Sequence, residues 1–100
     1  MKRKQYKPLV CVDGFTVSVQ ASETNYCAPR NNTGPYTAVE LGFPSQPDPL
    51  IAKWAEDNQN PTATVYGWVP TVVLFQLIEK HGGIQSGELP PTHMSPDYQQ

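Results

Sequence analysis

The run "PLVCVDGFTVSVQAS" alternates apolar and polar residues on both sides of Asp13-Gly14. Asp-Gly between two β-rich runs is a strong hairpin signal, because a type I′ turn needs positive φ at both turn positions. A two-residue loop pairs Val12 with Phe15, Cys11 with Thr16 and Val10 with Val17. Val10, Val12, Phe15, Val17 and Val19 then share one face, while Leu9, Cys11, Thr16, Ser18 and Gln20 share the other. The first reads as the core face, and a slip of one residue would undo the segregation. "YTAVELGF" predicts a third strand with Val39, Leu41 and Phe43 inward. "PSQPDP" ends it, because proline donates no ladder hydrogen bond. "LIAKWAEDNQNP" predicts one helical turn around Ile51 to Glu56 and a break from Asn58 to Pro61. "TATVYGWV" predicts a fourth strand, with Val65 and Val69 opposite Tyr66 and Trp68. Gly67 marks a bulge or the close approach of another group.

Only "PTVVLFQLIEKHGG" has a helical period. Leu74, Leu77, Ile78 and His81 fall on one stripe, with Val73 and Phe75 at its edges. Pro70 suits the first helical position, Lys80 and His81 suit the last turn, and Gly82 suits the C′ position. The element order predicts an α+β fold: a small antiparallel sheet of about four strands covered by one C-terminal helix. One helix covers one sheet face, so apolar surface is left for a partner, and a homodimer fits.

Composition narrows the domain. The chain has 100 residues, with 7 Gly and 11 Pro. The basic start, 1–7, reads as a flexible arm and the Pro-rich end, 85–100, as a flexible tail, leaving 8–84 as a single α+β domain. Net charge is −2, but Lys2, Arg3, Lys4 and Lys7 all lie in the arm. From Pro8 onward there are three basic and nine acidic residues. The arm can make weak contacts to nucleic acid, though a solubilising role is the simpler reading. No apolar run reaches the roughly 18 to 20 residues of a membrane span. Asp13 and Gly14 interrupt any apolar signal region after the basic start. The expectation is a cytoplasmic protein with reduced Cys11 and Cys27 and no membrane association.

Candidate chemistry is sparse. Cys27 has no base placed near it by the sequence: His81 ends a helix and His93 lies in the tail. Two Cys and two His without paired short spacing form no metal site. Glu56-Asp57 sits in an exposed turn. There is no phosphate-binding glycine loop, so no cofactor is expected and an enzyme is disfavoured. The connection "NYCAPRNNTGPY" is more informative. It belongs to a loop longer than about 12 residues, a length that often marks function. Tyr26, Arg30, Asn31, Asn32 and Tyr36 are its candidate binding residues, with Tyr66 and Trp68 beside them. Aromatic and Arg side chains dominate interface energy, and the aromatics can also stack on bases. Arg30 supplies a forked donor for phosphate or carboxylate. The competing reading for Tyr66 and Trp68 is a second small core beneath the Pro-rich insert.

The segments "VDGFTVSVQAS", "YCAPR…GPYTAVELGFPS" and "VYGWVP…LIEKHGG" resemble small uncharacterised accessory proteins of tailed bacteriophages. The resemblance implies expression in the host bacterial cytoplasm and action by stoichiometric binding, with inhibition of a host defence protein as the leading expectation. A sponge for a nucleotide second messenger is the alternative, and a small Cys-dependent enzyme a further one. The resemblance transfers no site residues.

Overall fold

The computed structural model describes residues 5–92. Most of the basic arm, 1–4, and most of the tail, 93–100, lie outside the described residues. Strands β1 (Leu9–Cys11), β2 (Thr16–Gln20), β3 (Ala38–Gly42), β4 (Val65–Pro70) and β5 (Ile84–Ser86) form one antiparallel sheet in the order β4-β3-β2-β1-β5. A short 3-10 turn, Ala52–Trp54, lies in the insert, and helix α1 (Thr71–Lys80) follows β4 directly. The fold is α+β, with one strand beyond the expected four. β5 crosses the boundary drawn at Ile84 and pairs with β1. Its three residues are all exposed, so no alternation betrays them. Pro90 is buried beyond it, and Thr92 forms a parallel bridge with Tyr36. The arm is also shorter than expected. Tyr6 is buried, its N–H donates to Gln20 Oε1 (3.0 Å), and its carbonyl accepts from Gln20 Nε2 (2.7 Å).

The hairpin forms, but one residue out of the expected register. Leu9 pairs with Val17 and Val10 with Thr16, so Cys11 stands opposite Phe15. The loop is Val12-Asp13-Gly14, closed by Gly14 N–H to Cys11 carbonyl (2.9 Å) and Cys11 N–H to Phe15 carbonyl (2.8 Å). A three-residue loop of this kind needs one left-handed residue at its end, and Gly14 supplies it with φ 96°. The slip turns β1 over. Leu9 and Cys11 point into the core, and Val12 is 61% exposed. β2 keeps its expected face, with Val17 and Val19 buried behind Phe15. The longer loop wins because its tip docks on the end of α1. Asp13 N–H donates to His81 carbonyl (3.2 Å), and Val12 N–H to Gly83 carbonyl (3.0 Å).

α1 buries Thr71, Leu74, Leu77 and Ile78. It ends in a Schellman turn: Gly83 N–H reaches Ile78 carbonyl (2.9 Å), and Gly82 N–H reaches Glu79 carbonyl (3.1 Å). Pro70 stands one position earlier than expected, as the N-cap. The helix stripe packs on Leu9, Cys11, Val17, Val19, Val39 and Leu41 of the sheet, and Ile51 of the insert closes the core.

β4 carries the expected irregularity. Val39 pairs with Val69 but Leu41 with Tyr66, so two steps on β3 face three on β4. The extra residue lets Tyr66 and Val69 both point inward, where simple alternation put them on opposite faces. Trp68 is thrown outward, 48% exposed. Phe43, expected inward at the end of β3, is also outside, at 58%.

The observed register makes a ranking prediction. Leu9→Ala should destabilise the domain by about 2–5 kcal/mol, because it opens a cavity in the core. Val12→Ser should change stability by less than about 0.5 kcal/mol. Urea unfolding of both variants checks this; the two-residue register requires the reverse order.

Candidate functional site

The long connection is mostly self-anchored. Asn31 Oδ1 accepts from the N–H groups of Thr33 (3.0 Å) and Gly34 (2.8 Å), and Asn32 Oδ1 accepts from Glu23 N–H (3.0 Å). Tyr36 is fully buried, and its hydroxyl donates to Asn31 carbonyl (2.7 Å). The Ala28-Pro29 and Gly34-Pro35 bonds are cis. Tyr36 therefore cannot touch a ligand, and the two Asn side chains shape the loop. Tyr66, expected on the same surface, is also a core residue. It is 1% exposed, and its hydroxyl donates to Pro61 carbonyl. It joins the main core, so no second small core forms beneath the insert among the described residues, and Trp68 lies outside. Arg30 is exposed, with no hydrogen-bond or ion-pair partner among the described residues.

Tyr26 and Trp68 do come together. Their rings stack at 4.9 Å with planes 20° apart, and Trp68 N–H donates to Tyr26 carbonyl (2.9 Å). Gly67 makes this possible: a Cβ there would stand 3.1 Å from Tyr26 Cβ. The backbones of Trp68 and Phe43 are both left-handed, each with φ 53°. For a bulky L-residue that conformation costs roughly 1–2 kcal/mol. Two large aromatics are thus exposed and conformationally strained at once.

Beside Tyr26 lies Glu40, at the middle of β3. Its Oε1 accepts from Asn25 Nδ2 (2.6 Å) and its Oε2 faces Tyr26 N–H (3.4 Å). A recess of about 150 Å³ surrounds it, with Gln5, Ser18, Gln20, Asn25 and Phe43 in its walls. A larger recess of about 280 Å³ lies under the insert, lined by Pro47, Pro49, Ala52, Pro61, Tyr66 and Asp48. Of its polar groups, Asp48 and the Tyr66 hydroxyl already serve the fold, and Asn58 also lines it.

Asp48 belongs to a buried clamp. His81 Nδ1 lies 2.7 Å from Asp13 Oδ2, and its Nε2 lies 2.8 Å from Asp48 Oδ2. Lys80 Nζ reaches Asp48 Oδ1 (3.0 Å), and the Phe15 ring stacks on the imidazole at 3.9 Å. Carboxylates only accept, so both ring nitrogens must donate and the imidazole is held as its cation. Burial by itself would lower the His81 pKa, but hydrogen bonds to Asp13 and Asp48 and their charges raise it. The Asp13 carboxyl is held low by Phe15 N–H and by His81. Burial raises Asp48, yet Leu50 N–H, His81 and Lys80 outweigh it and hold it low. With both nitrogens engaged, His81 has no free lone pair to act as a base. Cys27 is buried, and burial pushes its thiol pKa up, away from nucleophilic use. Both cysteines are free thiols. Among the described residues, no group of His, Cys, Asp and Glu is placed to hold a metal. No helix among them is long and apolar enough to cross a membrane.

The site residues that the sequence leaves unmarked are Glu40, Phe43 and the clamp. A histidine on a core stripe signals that acids must reach it, but no spacing rule points to Asp13 and Asp48. What the fold defines is a small α+β domain: a five-stranded antiparallel sheet, one helix, and an exposed aromatic pair at an edge strand. No family model, curated protein or solved structure matches the chain.

The clamp predicts a stability optimum in mildly acid solution. With its folded pKa raised, His81 contributes fully below its ordinary value of about 6.5, and the contribution fades as pH rises through the folded value. Asp13 and Asp48, with lowered pKa, contribute fully above about 4 and lose this as pH falls through their folded values. Thermal melts should therefore peak between about pH 4 and 6.5. His81→Gln should abolish the alkaline decline; an unchanged alkaline limb in that variant would refute the assignment. Asp48→Ala should cost about 3 kcal/mol at pH 6, because it strips a buried cation of its partner.

Proposed function

We propose that this chain is a non-enzymatic phage accessory protein. In this reading it acts in the host bacterial cytoplasm by stoichiometric binding, and inhibits a host protein as a counter-defence. The phage setting rests on the likeness of the quoted segments to small phage proteins, which is analogy. The binding role rests on one observation: Trp68 and Phe43 are exposed on left-handed backbone. A fold under selection for stability alone would place asparagine or glycine there. Large aromatics at such positions suit an interface, where a few of them carry most of the binding energy.

A protein target suits the surface better than a nucleotide signal. Of the aromatics expected to stack on a base, Tyr36 is buried, and so is Tyr66. Tyr26 and Trp68 already cover one face of each other. The Glu40 carboxylate beside them repels phosphate, although the exposed Arg30 leaves one donor for it. The thiol-enzyme reading has no support among the described residues, where Cys27 is buried with a raised thiol pKa and both His81 nitrogens are engaged.

The test is capture from bacterial lysate with tagged protein, followed by affinity measurement on the recovered partner. Trp68→Ala should weaken binding by roughly 30-fold, the loss typical of a hot spot. Arg30→Ala should weaken it less, with an unchanged melting temperature. Phe43→Asn should abolish capture yet raise stability by up to about 1 kcal/mol, since asparagine tolerates left-handed backbone. A nucleotide retained in native mass spectrometry, with no protein partner, would replace this reading by the sponge.

A further inference from the structure

We propose that the recess around Glu40 is a receptor for an arginine side chain of the partner protein, an inference that rests on the binding reading above. Glu40 is half-buried on the sheet face opposite the helix. A carboxylate removed from water needs a counter-ion or a full set of donors. Asp48, the fully buried acid of the described residues, has both: Leu50 N–H, Lys80 and His81. Glu40 has only Asn25 Nδ2 and the distant Tyr26 N–H. No cation among the described residues forms an ion pair with it. A carboxylate has about four acceptor positions, so roughly two remain for the recess.

The walls are fixed before any ligand arrives. Gln20 is tied on both its amide atoms to the backbone of Tyr6, and its Nε2 also donates to Ser18 Oγ (3.0 Å). Asn25 donates to Glu40 and accepts from Ser22 Oγ (2.7 Å). Phe43 stands at one wall with its ring exposed. A neutral amide floor, one unpaired carboxylate and a flanking aromatic match a guanidinium. Its forked N–H groups suit carboxylate geometry, and its plane stacks on aromatic rings. The surrounding charge agrees: three basic residues against nine acidic from Pro8 onward attract a basic partner surface. A purely structural Glu40, anchoring the Asn25-Tyr26 loop, needs an acceptor oxygen but no charge. Glu40→Gln therefore separates the two roles.

The experiment is an amide NMR titration of the full chain with N-acetyl-arginine amide, and with the uncharged isostere N-acetyl-citrulline amide. The arginine probe should give saturable shifts at Ser18, Gln20, Glu40, Gly42 and Phe43. The citrulline probe should bind roughly tenfold more weakly, because a charge-assisted pair is lost. Glu40→Gln should abolish the difference between probes with little change in melting temperature. The citrulline comparison on the unaltered chain decides the matter even if that variant fails to fold. Equal response to both probes, or no saturable shift at these amides, overturns the proposal. So does arginine binding that appears only after residues 1–4 are removed, because the chain's own basic arm is then the occupant. Arginine binding without any captured protein leaves the recess standing and sinks the inhibitor reading. Capture that needs Trp68 but is indifferent to Glu40→Gln does the opposite.

Discussion

A cationic imidazole clamped between two carboxylates joins three parts of this chain that are far apart in sequence. Asp13 comes from the hairpin loop, Asp48 from the Pro-rich insert, and His81 from the end of the helix. Removing one weakens the pairing of a buried charge, so the clamp couples the placement of the three segments. The clamp also accounts for the hairpin register. A two-residue turn would withdraw Asp13 from the helix end. The three-residue loop instead presents its backbone N–H groups to the carbonyls of His81 and Gly83, just past the helix, and its carboxylate to His81. Phe15 completes the arrangement by stacking on the imidazole.

The opposite end of the sheet is built differently. There the extra residue in β4 turns two aromatic positions apart, so that Tyr66 enters the core and Trp68 leaves it. Gly67 lets Tyr26 lie against the strand and stack on Trp68. The outer backbone positions of β4 are occupied by Tyr26 and by the Ala55–Glu56 segment, which guards that edge against pairing with another chain. What β4 presents outward is therefore side chains rather than open strand edge.

Periodicity made the helix, its buried stripe and the strands β2 and β3 legible, because each has enough residues for one face to declare itself. The Gly82 stop and the bulge at Gly67 were legible because glycine has a backbone meaning of its own. β5 was not: three exposed residues have no face to read. The face of β1 was misread because Val10 and Val12 suit a core as well as Leu9 and Cys11 do. Of the four candidate aromatics, Tyr26 in the long connection and Trp68 on β4 are exposed, whereas Tyr36 and Tyr66 put their hydroxyls on backbone carbonyls inside the domain.

By itself the sequence determined the class of fold and the site of the helix. These depend on local pattern and on residues with special backbone freedom. Tertiary structure decided the hairpin register, which aromatics are exposed, and the isolation of Glu40 from every described cation. Each of these depends on contacts between segments distant in sequence, and a hydroxyl, carboxylate or ring carries no local mark of the partner it will meet.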